Sequence, residues 1–336
     1  MKKRLLVIVV LLALVAMMAS PVFAADKKLT IGVCIPYEIG WFTAFHKGFD
    51  VVAQAEGVDI KWVYNNYKAD QEVQAVQNLI SLGVDGINLT AVTPESAQYS
   101  CQLANDAKIP IQITESGTGQ GRGKAIGVID FDWAGIYRYV ADNIRKDVKG
   151  DVSVLWEQGF AGSPPVLQGI DGFKSEIAKL QGMKLATDVQ YANYDVQKAL
   201  DVTNAIIQSG VKFNVAIGGS QEMADGIATS LKNANMSDKV KVVSVNGGPM
   251  DVDNFAKGRL DFALSQSPGL HGMITAANLI AYLRGKTYQT KTFSPVIWVS
   301  AKTYKKDLIP WDMDTSWMPV VNEFVKTGKY RPELRK

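Results

Sequence analysis

The sequence predicts an α/β fold of two lobes, each built on a doubly wound parallel sheet. Short apolar, β-branched runs alternate with segments of helical periodicity, and this order requires parallel strands joined by right-handed crossovers. The first series of predicted strands is Leu29–Ile35, Val58–Tyr64, Gly86–Leu89 and Ile111–Thr114. The second series is Ala125–Ile129, Asp151–Trp156, Leu185–Val189, Val215–Ile217, Lys241–Val245 and Asp261–Leu264. Each series has the size of a small doubly wound domain, which predicts two lobes.

Local signals justify the individual elements. The strand Leu29–Ile35 is apolar almost throughout, which is typical of a parallel strand buried on both faces. In Trp41–Glu56, Phe42, Phe45 and Phe49 recur at helical spacing. The other helices predicted from this periodicity and from start signals include Asp70–Ser81, Pro94–Ala107, Trp133–Val148, Val166–Lys179 and Val196–Ser209. No Gly/Ser-rich linker separates the two series, so several direct crossovers between the lobes are expected.

The amino terminus has the pattern of a cleavable secretory signal. Lys2, Lys3 and Arg4 precede an apolar run, Leu5–Met18, and small residues follow up to Ala24. The apolar run is shorter than the ~20 residues that a membrane-spanning helix needs. The sequence therefore predicts cleavage near Ala24 and a soluble periplasmic protein without a lipid anchor, with an uncleaved anchor as the alternative.

Charge and composition exclude several classes of function. The chain has 36 basic and 33 acidic residues, and three of the basic ones lie in the predicted signal, so the mature chain is balanced. A balanced chain without a basic block disfavours nucleic acid and anionic membranes as partners. Neither His46 nor His271 belongs to a metal motif, and no P-loop or nucleophile elbow is present. We therefore expect no metal, no cofactor, no catalytic residues and no enzymatic activity.

The only two cysteines allow two states. Cys34 falls in the interior of a predicted strand and Cys101 in the middle of a predicted helix. An exported protein could oxidise them to a disulfide. Two buried free thiols are the expectation, with the disulfide as the alternative.

Aromatic, acidic and amide side chains recur where the predicted strands end. Ligands of open α/β sheets meet the loops at the carboxyl ends of the strands. Candidate residues in these loops are Tyr37, Trp41, Phe42, Glu115, Asp132, Trp156, Tyr194, Ser220, Gln221, Asn246 and Gln266. Aromatic rings cover the C–H faces of a sugar, while carboxylates and amides bind its hydroxyls, so the combination suits a sugar or polyol.

Several of these residues also fit a purely structural role. Trp41 and Phe42 open an amphipathic helix and fit a packed core. Asp132 stands where it could cap the helix that follows. Asn246 precedes a Gly-Gly pair, which is first a turn signal. Their joint occurrence at successive strand ends is what favours a ligand site.

An ordered series of short motifs carries a family resemblance. These are Ile109–Ile111 before Glu115, Gly169–Phe173 (GIDGF), Val242–Gly247 and Ser265–Pro268. With them the chain resembles the ribose/galactose-binding family of periplasmic solute-binding proteins, of type I fold, from about Leu29 to Ser300. The resemblance implies stacking roles for Trp41, Phe42 and Tyr194. It also implies hydrogen bonds to sugar from Asp132, Asn246, Gln266 and Ser220 or Gln221.

Departures from the family pattern bear on the ligand. Glu115-Ser116 stands where sugar binders commonly have Asp-Arg, and the loop after Ser163 lacks an Arg, for which Gln168 is the candidate substitute. Asn246 replaces a common Asp. Loss of bidentate Arg groups weakens the case for a plain pyranose. An unusual polyol, a deoxy sugar or a cationic small molecule becomes a candidate.

The resemblance implies a monomeric binding protein that delivers a sugar or polyol to the permease of an ABC importer. The alternative is a sensory accessory to a membrane histidine kinase or chemoreceptor. Three crossovers are expected, near Asp130–Asp132, Gln266–Ser267 and Phe293–Pro295. The expected lobes are then 25–131 with 266–293, and 132–265 with 294–320, followed by a tail at 321–336. The segment Trp311–Trp317 is expected to strap a lobe or the hinge, with a role at the ligand as the alternative.

Overall fold

A computed structural model describes residues 28–336, apart from 39, 116, 118 and 119. The predicted signal segment lies outside the described residues. The strands are β1 Thr30–Ile35, β2 Asp59–Tyr64, β3 Gly86–Thr90, β4 Ile111–Thr114, β5 Gly127–Asp130, β6 Val152–Gln158, β7 Met183–Leu185, β8 Gln190–Tyr191, β9 Val215–Gly218, β10 Lys241–Ser244, β11 Phe262–Gln266, β12 Lys291–Phe293 and β13 Val296–Ser300. The helices are α1 Trp41–Ala55, α2 Ala69–Ser81, α3 Pro94–Asp106, α4 Trp133–Asp147, α5 Pro164–Ile177, α6 Val196–Gln208, α7 Gln221–Asn233, α8 Pro249–Ala256, α9 Pro268–Leu283, α10 Tyr304–Asp307 and α11 Met318–Thr327.

Strand pairing divides these elements between two sheets. The first sheet has the order β12-β5-β4-β3-β1-β2 and is parallel throughout. The second has the order β13-β11-β10-β9-β6-β7, with β8 also paired to β6. Its edge strand β13 runs antiparallel to β11, and the other pairs are parallel. The chain thus forms two lobes, one on each sheet.

Both sheets are covered by helices on both faces. In β1, Ile31 and Val33 pack in one apolar cluster with α1 and α9, whereas Cys34 packs in the cluster on the opposite face. In β6, Trp156 and its neighbour Leu155 divide between two clusters in the same way. Successive side chains of a strand point to opposite faces, so a continuous apolar run fills two cores at once.

The two cysteines are free thiols in the first lobe, as expected. Both Cys34 and Cys101 are buried. Burial, and secondarily the charge of Glu72, raises the pKa of each thiol to about 12. A thiol with so high a pKa is a poor nucleophile and a poor metal ligand.

The chain passes between the sheets three times at the expected places. It leaves the first sheet after Asp130, returns between Gln266 and Pro268, and leaves again between Phe293 and Val296. A fourth passage follows. Tyr304 and Leu308 pack with the second lobe, whereas Ile309 and the residues after it pack in the core of the first.

The fourth passage forms a strap across the back of the hinge, which we define as Ile309–Met313. Ile309 N donates to Ser265 Oγ over 2.9 Å, and Trp311 Nε1 donates to Gln266 O over 3.1 Å. Beyond the strap, Trp317 and α11 are buried in the first lobe. This packing differs from the expected placement of 294–320 on the second lobe, because the apolar side chains after Leu308 fill the core beneath α1 and α9.

Short edge elements escaped the sequence analysis. Only Leu185 of the expected strand Leu185–Val189 lies in a strand, because β7 ends there and β8 begins at Gln190. Neither β12 nor β13 was expected. Edge strands bury little area, so their composition carries a weak signal. Among the described residues, no helix is long and apolar enough to cross a membrane.

Candidate functional site

A cluster of tyrosines and one carboxylate lies in the cleft between the lobes. Tyr37 follows β1, Tyr67 follows β2, and Glu115 follows β4, all at the carboxyl edge of the first sheet. The Tyr37 ring lies 5.3 Å from that of Tyr67, centroid to centroid. Tyr194 comes from the second lobe, and both Glu115 and Tyr37 act electrostatically on its hydroxyl. The cleft therefore brings these four side chains, here called the tyrosine cage, close together.

The backbone of the tyrosine cage is unusual. Tyr67, Glu115 and Tyr194 have φ angles of 55°, 60° and 61°, in the left-handed region that favours glycine. Each such residue costs roughly 1 kcal/mol or more, so the surrounding structure must impose the conformation. Left-handed residues of this kind cluster at ligand sites, which supports a functional role for these strand ends.

Partial burial sets the electrostatics of the cage. Tyr67 is 46% exposed and Tyr194 is 38% exposed, but this surface faces the interior of a cleft. Desolvation by the walls of the cleft raises the pKa of both hydroxyls, and that of Tyr37. Desolvation, and secondarily the charge of Asp130, raises the pKa of Glu115 to about 8. Glu115 and the three tyrosine hydroxyls are therefore mostly protonated at pH 7.

Trp41 and Phe42 lie behind the cage, toward the hinge. Phe42 is buried in the first lobe, 5.5 Å from the ring of Tyr37. Trp41 packs against the cores of both lobes and lies 5.8 Å from the ring of His271. The two residues support the cage and join the lobes, with part of the Trp41 surface remaining open.

His271 occupies the centre of the hinge. Its ring lies 4.7 Å from that of Phe131, on the first passage, and its Nδ1 lies 2.6 Å from Ser294 Oγ, on the third. Burial lowers the pKa of His271 to about 3, so the imidazole is neutral. A neutral ring that touches two passages suits a pivot better than a ligand contact.

The predicted polar residues of the second lobe form hydrogen bonds within their own lobe. Ser220 caps α7 by accepting from Met223 N, and Asn246 Oδ1 accepts from Gln221 N over 3.1 Å. Gln221 Oε1 accepts from Met250 N over 2.9 Å. The side chain of Gln266 donates to Val245 O over 3.2 Å, and its Oε1 is buried without a hydrogen-bond partner among the described residues.

Trp156 belongs to the core of the second lobe. The prediction ended the strand at Trp156 and counted it among the strand-end candidates, but β6 extends to Gln158 and Trp156 is 1% exposed. Its ring packs between Tyr137 and Phe173, at centroid distances of 4.9 and 4.7 Å. The ring therefore has no free face for a ligand.

Asp132 and Gln168 lie beside the hinge. Asp132 Oδ1 caps α4 by accepting from Gly135 N over 3.0 Å, so the structural alternative holds for this residue. Both side chains line an open groove with Asp130, Lys291 and Phe293.

The sequence analysis missed Tyr67. Its signal was Asn66-Tyr67 directly after the second predicted strand, a position equivalent to the other candidate loops. Among the described residues, no group of three or more His, Cys, Asp or Glu side chains could hold a metal ion.

Glu157 gives the second lobe a testable pH dependence. It is 0% exposed, Thr203 Oγ1 donates to its Oε1 over 2.5 Å, and burial raises its pKa to about 8. The folded protein therefore holds this proton between the pKa of the unfolded chain and about 8, so its stability falls as pH rises through that window. We expect the difference in unfolding free energy between Glu157→Gln and wild type to shift in favour of the variant by on the order of 2 kcal/mol when the pH is raised from 5 to 9.

Urea unfolding at both pH values measures this gain, and the exposed Glu95→Gln controls for removal of one charge. An equal difference between wild type and Glu157→Gln at pH 5 and pH 9 would contradict the assignment.

The comparisons with known proteins agree with this architecture. The family model described as a periplasmic binding protein domain matches residues 31–287. The chain belongs to this family. The ribose import binding protein RbsB of Escherichia coli is 25% identical over 286 residues, covering 84% of this chain and 94% of RbsB. The fructose import binding protein FruE of Bifidobacterium longum is 23% identical over 273 residues, covering 78% of this chain and 81% of FruE.

Solved structures share the fold of this periplasmic binding protein. A solute-binding protein of an arabinose ABC transporter from Shewanella, bound to L-arabinofuranose, superimposes with a TM-score of 0.75 at 23% identity, covering 82% of this chain and 93% of its own. One from Bacillus halodurans with bound myo-inositol gives a TM-score of 0.73 at 19% identity, covering 84% and 98%. The predicted two-lobed α/β class is confirmed.

Proposed function

We propose that this protein binds a sugar or polyol in the cleft between its lobes and delivers it to the permease of an ABC importer. The tyrosine cage is the observation that carries the proposal, since both lobes contribute to it and it lies where open α/β sheets bind ligands. Relatives named for ribose and fructose import, and neighbours with bound arabinofuranose and myo-inositol, support the ligand class.

The proposed site divides into contact residues and supporting residues. Tyr37, Tyr67, Glu115 and Tyr194 contact the ligand, and the open part of Trp41 extends the aromatic wall. Phe42 supports this wall from behind. Hydroxyls of the ligand hydrogen-bond to the carboxylate and the phenols, while its C–H faces lie against the rings.

Closure of the lobes couples binding to transport. The ligand selects the closed state because only that state brings Tyr194 against the residues of the first lobe. The chain acts in the periplasm as a monomer after removal of its signal segment, and the closed form docks on the permease. The proposed lobes are 25–131 with 266–293, and 132–265 with 294–308, followed by the strap and the carboxyl-terminal segment on the first lobe.

A calorimetric and thermal-shift panel of pentoses, hexoses, deoxy sugars and cyclitols tests the proposal on refolded mature protein. A ligand that binds only the folded state raises the unfolding midpoint. We expect at least one sugar or polyol to raise the unfolding midpoint and to bind at a single site. Binding of no hydroxylated compound by a folded protein would overturn the proposal.

A further inference from the structure

We infer that Trp311, on the strap, sets the equilibrium between the open and the closed arrangement of the lobes and thereby sets ligand affinity from outside the cleft. Trp311 is a positioning residue, because it acts through the lobes and is not among the proposed contact residues. The inference goes beyond the proposed function, since it concerns the motion of the lobes whatever the cleft binds. The anchorage, packing and hydrogen bonds of the strap carry it.

The strap joins segments that are buried in different lobes. Just before it, Tyr304 and Leu308 pack in an apolar cluster of the second lobe. Ile309 and Met313 are buried in the main apolar cluster of the first lobe. A change in the angle between the lobes must therefore change the path of this short segment.

Trp311 lies between a glycine of each lobe. A Cβ built on Gly248, which caps α8 in the second lobe, would lie 2.8 Å from Trp311 Cζ2. A Cβ built on Gly269, in the first turn of α9 on the first lobe, would lie 2.0 Å from the carbonyl oxygen of Trp311. Contacts this close are possible because neither neighbour has a side chain. Trp311 is 8% exposed, so both lobes together enclose it almost completely.

Hydrogen bonds fix the strap to the second passage between the lobes. Ser267 Oγ donates to Pro310 O over 2.5 Å, and Trp311 Nε1 donates to Gln266 O over 3.1 Å. Breaking a buried hydrogen bond without replacing it leaves polar atoms unsatisfied, which is costly. The strap is therefore not free to slide along the passage when the lobes move.

These contacts belong to a conformation in which the lobes are together. Trp41, at the start of α1, packs against apolar clusters of both lobes. Tyr37 of the first lobe also acts electrostatically on Tyr194 of the second. The packing of the strap is therefore part of what stabilises this closed arrangement.

Opening of the lobes must disturb the packing of Trp311. If Gly248 turns away from Gly269, the Trp311 residue cannot remain in contact with both. Loss of the indole therefore favours open arrangements of the empty protein. A ligand that selects the closed state then binds more weakly, in proportion to the smaller closed fraction.

The distance between the lobes in the empty protein tests the inference without any ligand. Spin labels at Glu95→Cys on the first lobe and Gln197→Cys on the second report this distance, since both positions are exposed and Cys34 and Cys101 are buried. We expect Trp311→Ala to lengthen and broaden the distance distribution measured by pulsed electron paramagnetic resonance.

Trp317→Ala is the matched control for this change. Trp317 is buried with the apolar core of the first lobe and does not pack with the second-lobe clusters among the described residues. Its replacement should lower stability and leave the distance distribution as in wild type. If an alanine variant does not fold, Trp311→Phe and Trp317→Phe repeat the comparison with a ring kept in place. Trp311→Phe lacks the donor to Gln266 O and should shift the distances in the same direction by a smaller amount.

Ligand affinity is the second readout. With the tightest ligand of the panel, we expect Trp311→Ala to raise the Kd about tenfold, corresponding to ~1.4 kcal/mol, and Trp317→Ala to leave it unchanged. Calorimetry on both variants and on wild type measures the difference.

The outcomes separate the inference from the proposed function. Unchanged distances in empty Trp311→Ala, an equal shift in Trp317→Ala, or tighter ligand binding by Trp311→Ala would overturn the inference and leave the proposed function standing. If no hydroxylated compound bound, the proposed function would fail, and the distances in the empty protein would still decide the inference.

Discussion

Replacing Tyr194 with alanine is expected to weaken ligand binding about 100-fold, or ~2.7 kcal/mol, which is the size of a hot-spot contact. Tyr194 is the residue that the second lobe contributes to the cage. Its loss therefore removes a ligand contact and also part of the free energy with which the ligand favours the closed state. The side chain is 38% exposed, so the free energy of unfolding should change little. Isothermal titration with the tightest ligand of the panel measures the effect.

Tyr191 provides a matched control for this change. It lies on strand β8 of the same lobe and is 36% exposed, and no ring contact among the described residues joins it to the cage. Tyr191→Ala should bind ligand as wild type does. If Tyr194→Ala bound ligand with unchanged affinity while remaining folded, the cage would not be the site.

Gly272→Ala is expected to lower the free energy of unfolding by about 3 kcal/mol, at the upper end of typical overpacking costs. Helices α1 and α9 cross so closely that a Cβ on Gly272 would lie 2.1 Å from the carbonyl oxygen of Phe45. That neighbour is helix backbone and has no rotamer through which to move, so the helices must separate. Urea unfolding measures the loss.

Gly86→Ala is the control for this substitution. A Cβ there would lie 3.1 Å from Leu283 Cδ1, the flexible end of a side chain. We expect a change within about 1 kcal/mol, since the added methyl also reduces the entropy of the unfolded chain. Equal destabilisation by the two changes would show that backbone contact is not the cause.

Much of the fold could be predicted because its signals are local and repeated. An apolar run such as Leu29–Ile35 predicts a strand that is buried on both faces. The alternation of such strands with helices predicts parallel pairing. The three passages fall where strand-end loops were expected to join the lobes. The strap was harder to place, because the sequence pattern of Ile309–Met313 does not indicate in which lobe its apolar side chains are buried.

The site was less predictable than the fold for a physical reason. Strand-end loops identify which residues can approach the cleft. They do not identify which of these side chains form hydrogen bonds or pack within their own lobe instead. The Asn246 side chain accepts from Gln221 N, and β6 runs two residues beyond its predicted end at Trp156, so that Trp156 lies in the core. The left-handed backbone of Glu115 and Tyr194 could not be predicted, because neither Glu nor Tyr favours a positive φ.

The packing of the chain's final segment bears on the order in which the lobes can fold. The core of the first lobe, begun by Ile31 and Val33, is completed by Trp317, Val321 and Phe324, almost three hundred residues later. A chain that is synthesised amino terminus first cannot close this core until its last helix has been made. The earlier strands of that lobe must then wait with apolar surface uncovered, so the second lobe, whose core strands β6–β11 are contiguous in sequence, is free to fold first.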